Sequence, residues 1–123
     1  MKKQYVEELK SIAPTFYEGY RDFGVGNGWF GLLKQASIEI QQAILKMPEE
    51  ERSRVKCAQI KEKFGGLRFY TDGANEEIDE ITDRAEASAD GTCENCGAPG
   101  QSRSGGWIKT LCENCPRVEW DRD

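Results

Sequence analysis

Two pairs of cysteines carry the clearest chemistry in this sequence. Cys93 and Cys96 enclose Glu94 and Asn95, Cys112 and Cys115 enclose Glu113 and Asn114, and fifteen residues separate the pairs. A two-residue spacer lets a tight knuckle aim both sulfurs at one point, and the separation suits a four-thiolate zinc site. Four thiolates fill a tetrahedral shell and leave no position for water or substrate, so one structural Zn2+ is expected. Gly97, Pro99, Gly100, Gly105 and Gly106 supply bends, and Trp107, Ile108 and Leu111 supply apolar cover, the pattern of a zinc ribbon. Iron can occupy the same four thiolates, and spacing alone does not separate the metals; the ribbon-like surroundings favour zinc. Disulfides are disfavoured by the odd count of five cysteines and by a Met1-Lys2-Lys3-Gln4 start without an apolar signal.

Catalysis has little to stand on. The chain has no histidine, which removes the commonest general base. It carries no Gly-x-Ser-x-Gly elbow, phosphate loop or dinucleotide fingerprint. Cys57, the fifth thiol, lies between Val55 and Ile60 and reads as a small buried apolar residue. The expectation is a protein that is not an enzyme.

Charge is placed unevenly. Residues 72–90 hold eight acids against one base, Arg84, a net of -7 within a chain of net charge -5. Glu76, Glu77, Asp79, Glu80, Asp83 and Glu86 crowd one predicted helix, a surface that disfavours nonspecific phosphate binding and favours a basic protein partner. Like charges at helical spacing repel, so the face is a liability unless something uses it. No apolar run approaches the ~20 residues of a membrane span, so no membrane role is expected.

The elements that must position these groups follow from periodicity. Tyr5, Val6, Leu9 and Ile12 mark a first helix stopped by Pro14. The next stretch is aromatic at Phe16, Tyr17, Tyr20 and Phe23 but broken by glycine, either a short helix and loop or an ordered loop packed by its aromatics. A longer helix follows, capped by Asn27, with Trp29, Leu33, Ala36, Ile40 and Ile44 on its core stripe and Pro48 at its end. Glu49 onward can add a helical turn.

Residues 57–71 read as a hairpin turned at Gly65-Gly66, with Phe64 opposite Leu67 and Lys63 opposite Arg68. That register puts Ile60, Glu62, Phe64, Leu67, Phe69 and Thr71 on an apolar face. Gln59, Lys61, Lys63, Arg68 and Tyr70 form a basic one. Lys61, Lys63, Arg68 and Tyr70 resemble a small nucleic-acid patch, or else a solvated face paired with the acidic helix. Asp72 or Asn75 caps that helix, and Ile78, Ile81 and Ala85 form its inner stripe. The fold class is therefore α+β: helices, an antiparallel hairpin sheet of two or more strands, and a C-terminal four-cysteine ribbon. The expected division is 1–91 and 92–123, packed as one compact domain.

The run IKEKFGGLRFY over residues 60–70, the acidic helix, CENCGAPG from 93, WIKTLCENC from 107 and the GWF start at 28 together resemble small zinc-ribbon proteins of phages, prophages and their bacterial hosts. The likeness spans residues 28–115. In general character, small, acidic and metal-bearing, the chain is similar to the zinc-containing anti-CRISPR proteins directed at type II effectors. That resemblance implies a cytoplasmic inhibitor in a bacterial host whose partner is an RNA-guided DNA nuclease. It implies no catalytic residues. The rival expectation is a nucleic-acid-binding ribbon using Lys61, Lys63, Arg68, Arg103 and Lys109.

Overall fold

The computed structural model of the chain describes residues 1–103 and 108–115. The bends and cover expected at Gly105, Gly106 and Trp107, and the polar tail from Arg117 with Trp120, lie outside the described residues. The architecture is α+β, with the helices α1 (Lys3–Ile12), α2 (Phe30–Leu45), α3 (Glu49–Arg52) and α4 (Glu76–Ala89). Strands β1 (Phe23–Gly24), β2 (Lys56–Lys63) and β3 (Gly66–Asp72) form one sheet in that order, and β4 (Gln101–Arg103) pairs antiparallel with β5 (Lys109–Leu111).

Helix α2 is the spine of the core because its apolar residues recur every three to four positions. Trp29, Leu33, Ala36, Ile40 and Ile44 are all buried, and α4 meets them with Ile78, Ile81, Ala85 and Ala89. Each large side chain withdrawn from water contributes roughly 1.5 to 3 kcal/mol, so this seam is the main source of stability. The aromatic stretch is an ordered loop: Phe16, Tyr17 and Phe23 are buried, and the Tyr17 hydroxyl lies 2.7 Å from Ser37 Oγ. Tyr5 stacks on Phe30 with ring centroids 4.2 Å apart, which seats α1 on the start of α2.

Asn27 does not cap α2. It opens a single 3-10 turn, Asn27–Trp29, and its side-chain oxygen accepts from Lys2 N at 2.7 Å. The reason lies next door. Gly26 and Gly28 run so close to the backbone of Cys93 and Glu94 that the helix must begin beyond them.

The hairpin forms with a different pairing from the one expected. Lys63 opposes Gly66, Glu62 opposes Leu67 and Lys61 opposes Arg68, so the turn is Phe64-Gly65. Both turn residues have positive φ, 54° and 82°, as the tight two-residue turn requires. Gly65 is held there by three contacts: its N–H donates to Glu62 Oε2, its carbonyl accepts from Thr110 Oγ1, and its Cα faces Ile108 and Lys109. The two pairings differ by a two-residue slide, which preserves the face of every strand residue. Ile60, Leu67 and Phe69 are accordingly buried; Phe64 is instead 70 % exposed at the tip.

A bulge between Cys57 and Gln59 adds one residue and turns Cys57 back into the core beside Ile60. The short parallel strand β1, with Phe23 opposite Ile60, has no periodic signal of its own. On the other edge, Glu86 accepts from Phe69 N at 2.9 Å, closing an open backbone donor of β3.

Candidate metal centre

Asn75 starts α4 by accepting from Ile78 N, and the chain leaves that helix straight into the first knuckle. There Gly97 N donates to Cys93 O and Cys93 N donates to Ala98 O, a fold that needs the positive φ of 86° at Gly97. The second knuckle follows β5 directly. The four sulfurs of Cys93, Cys96, Cys112 and Cys115 lie within 4.8 Å of one another, with Cys96 and Cys112 3.6 Å apart. A tetrahedral ion with metal–sulfur bonds of about 2.3 Å needs sulfurs separated by about 3.8 Å, so the set fits one metal ion.

Electrostatics point the same way. Burial pushes the Cys93 thiol up, but the N–H groups of Cys96, Cys112 and Asn95 outweigh it and bring the group down to about 6. At Cys96 the Ala98 N–H favours the thiolate, yet the three neighbouring sulfurs drive the group up to about 12. One negative sulfur opposes the next, and a cation at the centre removes that opposition. Asn95 Nδ2 donates to Cys115 Sγ at 3.2 Å, a second layer that orients a ligand from the opposite knuckle.

The knuckle is also a docking element. Glu94 O accepts from Gly28 N at 2.7 Å, Glu94 Oε2 accepts from Gly26 N at 2.9 Å, and Trp29 Nε1 donates to Thr92 O at 2.9 Å. Lys109 reaches Glu62 Oε1 at 3.0 Å and Glu94 Oε1 at 3.8 Å, with Lys109 only 4 % and Glu94 1 % exposed. The expected nucleic-acid role of Lys109 is therefore corrected: its ammonium is spent inside, joining hairpin to knuckle. Arg103 donates to Cys112 O at 2.8 Å. Replacing Lys109 by Met should cost about 3 kcal/mol in urea unfolding of the metal-loaded protein, because the buried Glu94 and the half-buried Glu62 lose their cation.

The acidic positions divide. Glu77 pairs with Lys46, and Glu86 is occupied by the β3 backbone. Glu76, Asp79, Glu80 and Asp83 are exposed and make no ion pair among the described residues. Lys61, Lys63, Arg68 and Tyr70 share the sheet face away from Ile60 and Phe69. They are not paired with α4, as the solvated alternative required: among the described residues the three cations make no ion pair.

Cys57 lies away from the cluster. Burial raises its thiol to about 12, so at pH 8 it is protonated as well as hidden. Mass spectrometry after alkylation of the folded, metal-loaded protein at pH 8 should find Cys57 unlabelled; rapid labelling would reopen a nucleophilic role. Glu62, Glu94 and Asn95 are the functional residues that sequence reasoning passed over, and nothing in their local spacing marks them. No helix among the described residues is long and apolar enough to cross a membrane. No family model, curated protein or solved structure matches this chain.

Proposed function

We propose that this chain is a non-enzymatic interaction module, shaped by one structural Zn2+, whose α4 outer face binds a basic surface on a partner protein. One observation carries the reading: Glu76, Asp79, Glu80 and Asp83 stand exposed and make no ion pair among the described residues, over two turns of a helix whose other acids are engaged. Such a row repels itself by a few tenths of a kcal/mol per neighbouring pair, a cost that a cationic partner removes.

The partner to try first is a type II RNA-guided DNA nuclease, which holds its nucleic acids in positively charged channels. A protein seated in such a channel blocks guide or target loading by occupancy alone. That reading makes the chain an inhibitor of anti-CRISPR type acting in the cytoplasm of a bacterial host. Zinc is preferred over iron because a closed four-thiolate shell with no redox task suits it, and elemental analysis of the purified protein decides between them.

The test is size-exclusion chromatography of the zinc-loaded protein with the nuclease, beside a parallel sample with duplex DNA. Co-elution with the nuclease and not with DNA is expected. The triple variant Glu76→Lys, Glu80→Lys, Asp83→Lys should abolish both co-elution and inhibition of cleavage while keeping circular dichroism and metal content. Inhibition that survives this reversal would remove α4 from the mechanism.

A further inference from the structure

We infer that the hairpin tip and the sheet face behind it form a binding site for single-stranded nucleic acid, a surface separate from the α4 face. The turn chemistry is the first indication. Position 64 has φ 54°, where Asn, Asp or Gly is the favoured residue, yet a Phe stands there with 70 % of its surface in solvent. The ring contributes little to the core and occupies an unfavourable backbone conformation, so its placement is explained by contact with something outside the chain.

What surrounds it fits a base and its phosphates. Lys63 Nζ lies 5.6 Å from the Phe64 ring centroid, which puts a cation beside a stacking plane. A groove of about 240 Å³ runs between the turn and the β4–β5 ribbon, lined by Lys63, Phe64, Arg68, Asp90, Ser102 and Thr110. Gly66 stands opposite Lys63, and the Arg68 guanidinium lies over it, its Nη1 3.1 Å and Asp90 Oδ1 3.8 Å from where a Cβ would stand. Further along the same face Lys61 opposes Arg68, and Tyr70, 47 % exposed, opposes Gln59. Roughly 13 Å of strand separates the Lys63–Gly66 pair from the Gln59–Tyr70 pair, so two aromatic planes flank a row of cations.

This arrangement matches the way single strands are held, with bases stacked on aromatics and the backbone followed by Lys and Arg. A duplex offers no free base face to Phe64. Among the described residues Asp90 is the one carboxylate on the groove, and Lys61, Lys63 and Arg68 have no ion-pair partner there to compete with phosphate. The ribbon wall of the groove depends on Thr110 and Gly65, whose 2.7 Å hydrogen bond closes its base.

Fluorescence anisotropy of a short labelled oligo(dT), and of the matching oligo(U), titrated with the zinc-loaded full chain tests the inference. Binding should weaken about 20-fold between about 50 and 200 mM salt, the slope for three phosphate contacts on a single strand. The double variant Lys63→Ala, Arg68→Ala should remove it. Phe64→Asn is the decisive variant, because Asn suits the positive φ and keeps the turn while deleting the ring. It should weaken binding about tenfold with the melting temperature unchanged or raised. Unaltered affinity in Phe64→Asn would overturn the proposal, as would equal affinity for a duplex or for a mononucleotide, or no binding at the lower salt.

Discussion

Chelating the metal will unfold more than the ribbon: residues 26–29, far away in sequence, will lose amide protection together with residues 92–103 and 108–115. Metal binding is worth on the order of 10 kcal/mol in small zinc-dependent peptides, and without the ion the two knuckles have little apolar surface to hold them. Beyond the cysteines, their small core adds, among the described residues, Leu111 and a partly buried Ala98. Glu94 O and Oε2 are the acceptors for Gly28 N and Gly26 N, and Thr92 O is the acceptor for the buried indole of Trp29. When the knuckle opens, those donors lose these partners, at about 0.5 to 1.5 kcal/mol each. The melting temperature of the entire chain should therefore fall by more than about 10 °C on chelation. Cys112→Ser should behave like the chelated protein. Protons compete with the metal for thiolates, so the same stabilisation is lost as the pH falls. Hydrogen exchange checks the coupling: loss of protection confined to residues 92–103 and 108–115 would show that the knuckle does not support the start of α2.

The second large effect is expected from adding a single methyl group. A Cβ on Gly28 would sit 2.6 Å from the carbonyl carbon of Glu94 and closer still to Cys93 O. Both obstacles are backbone, and a metal held by Cys93 would fix their position from the other side. No rotamer change relieves the clash, so Gly28→Ala should cost about 4 kcal/mol or more and weaken metal retention. Gly26→Ala meets the same wall, with Glu94 Cγ 2.9 Å away and its carbonyl oxygen nearer. Gly31 is the control: it lies in α2 with nothing within 4 Å of an added Cβ, so Gly31→Ala should stabilise by up to about 1 kcal/mol. Chemical denaturation of the three variants checks this order, and a mild Gly28→Ala would mean that knuckle and loop can move apart cheaply.

Local chemistry made several parts of the molecule legible. The stripe from Trp29 to Ile44 could only be a helix with one buried face, because five apolar side chains at that period have no other common direction. The Cys-x-x-Cys pairs declared a metal site because a knuckle converges its sulfurs whatever the surrounding fold. The aromatic loop from Phe16 to Phe23 was less legible, since glycines erased its period and only the cavity beneath α2 and the sheet gives its rings a place. The hairpin shows where such reasoning stops. Gly65-Gly66 satisfies a tight turn by itself, yet the docked ribbon holds Gly65 so that the turn forms one residue earlier and Phe64 becomes its tip.

The two Cys-Glu-Asn-Cys knuckles draw the boundary most clearly. Four residues of identical sequence determined identical local work in both, presenting two sulfurs to one ion. Their glutamates have opposite fates: Glu94 is 1 % exposed, bonded to Gly26 and beside Lys109, whereas Glu113 lies in solvent. Spacing along the chain sets what a knuckle can ligate. Only the tertiary structure decides which one becomes an interior joint, because a buried carboxylate needs a donor and a cation, brought here from residues 26 and 109, and only one knuckle faces them.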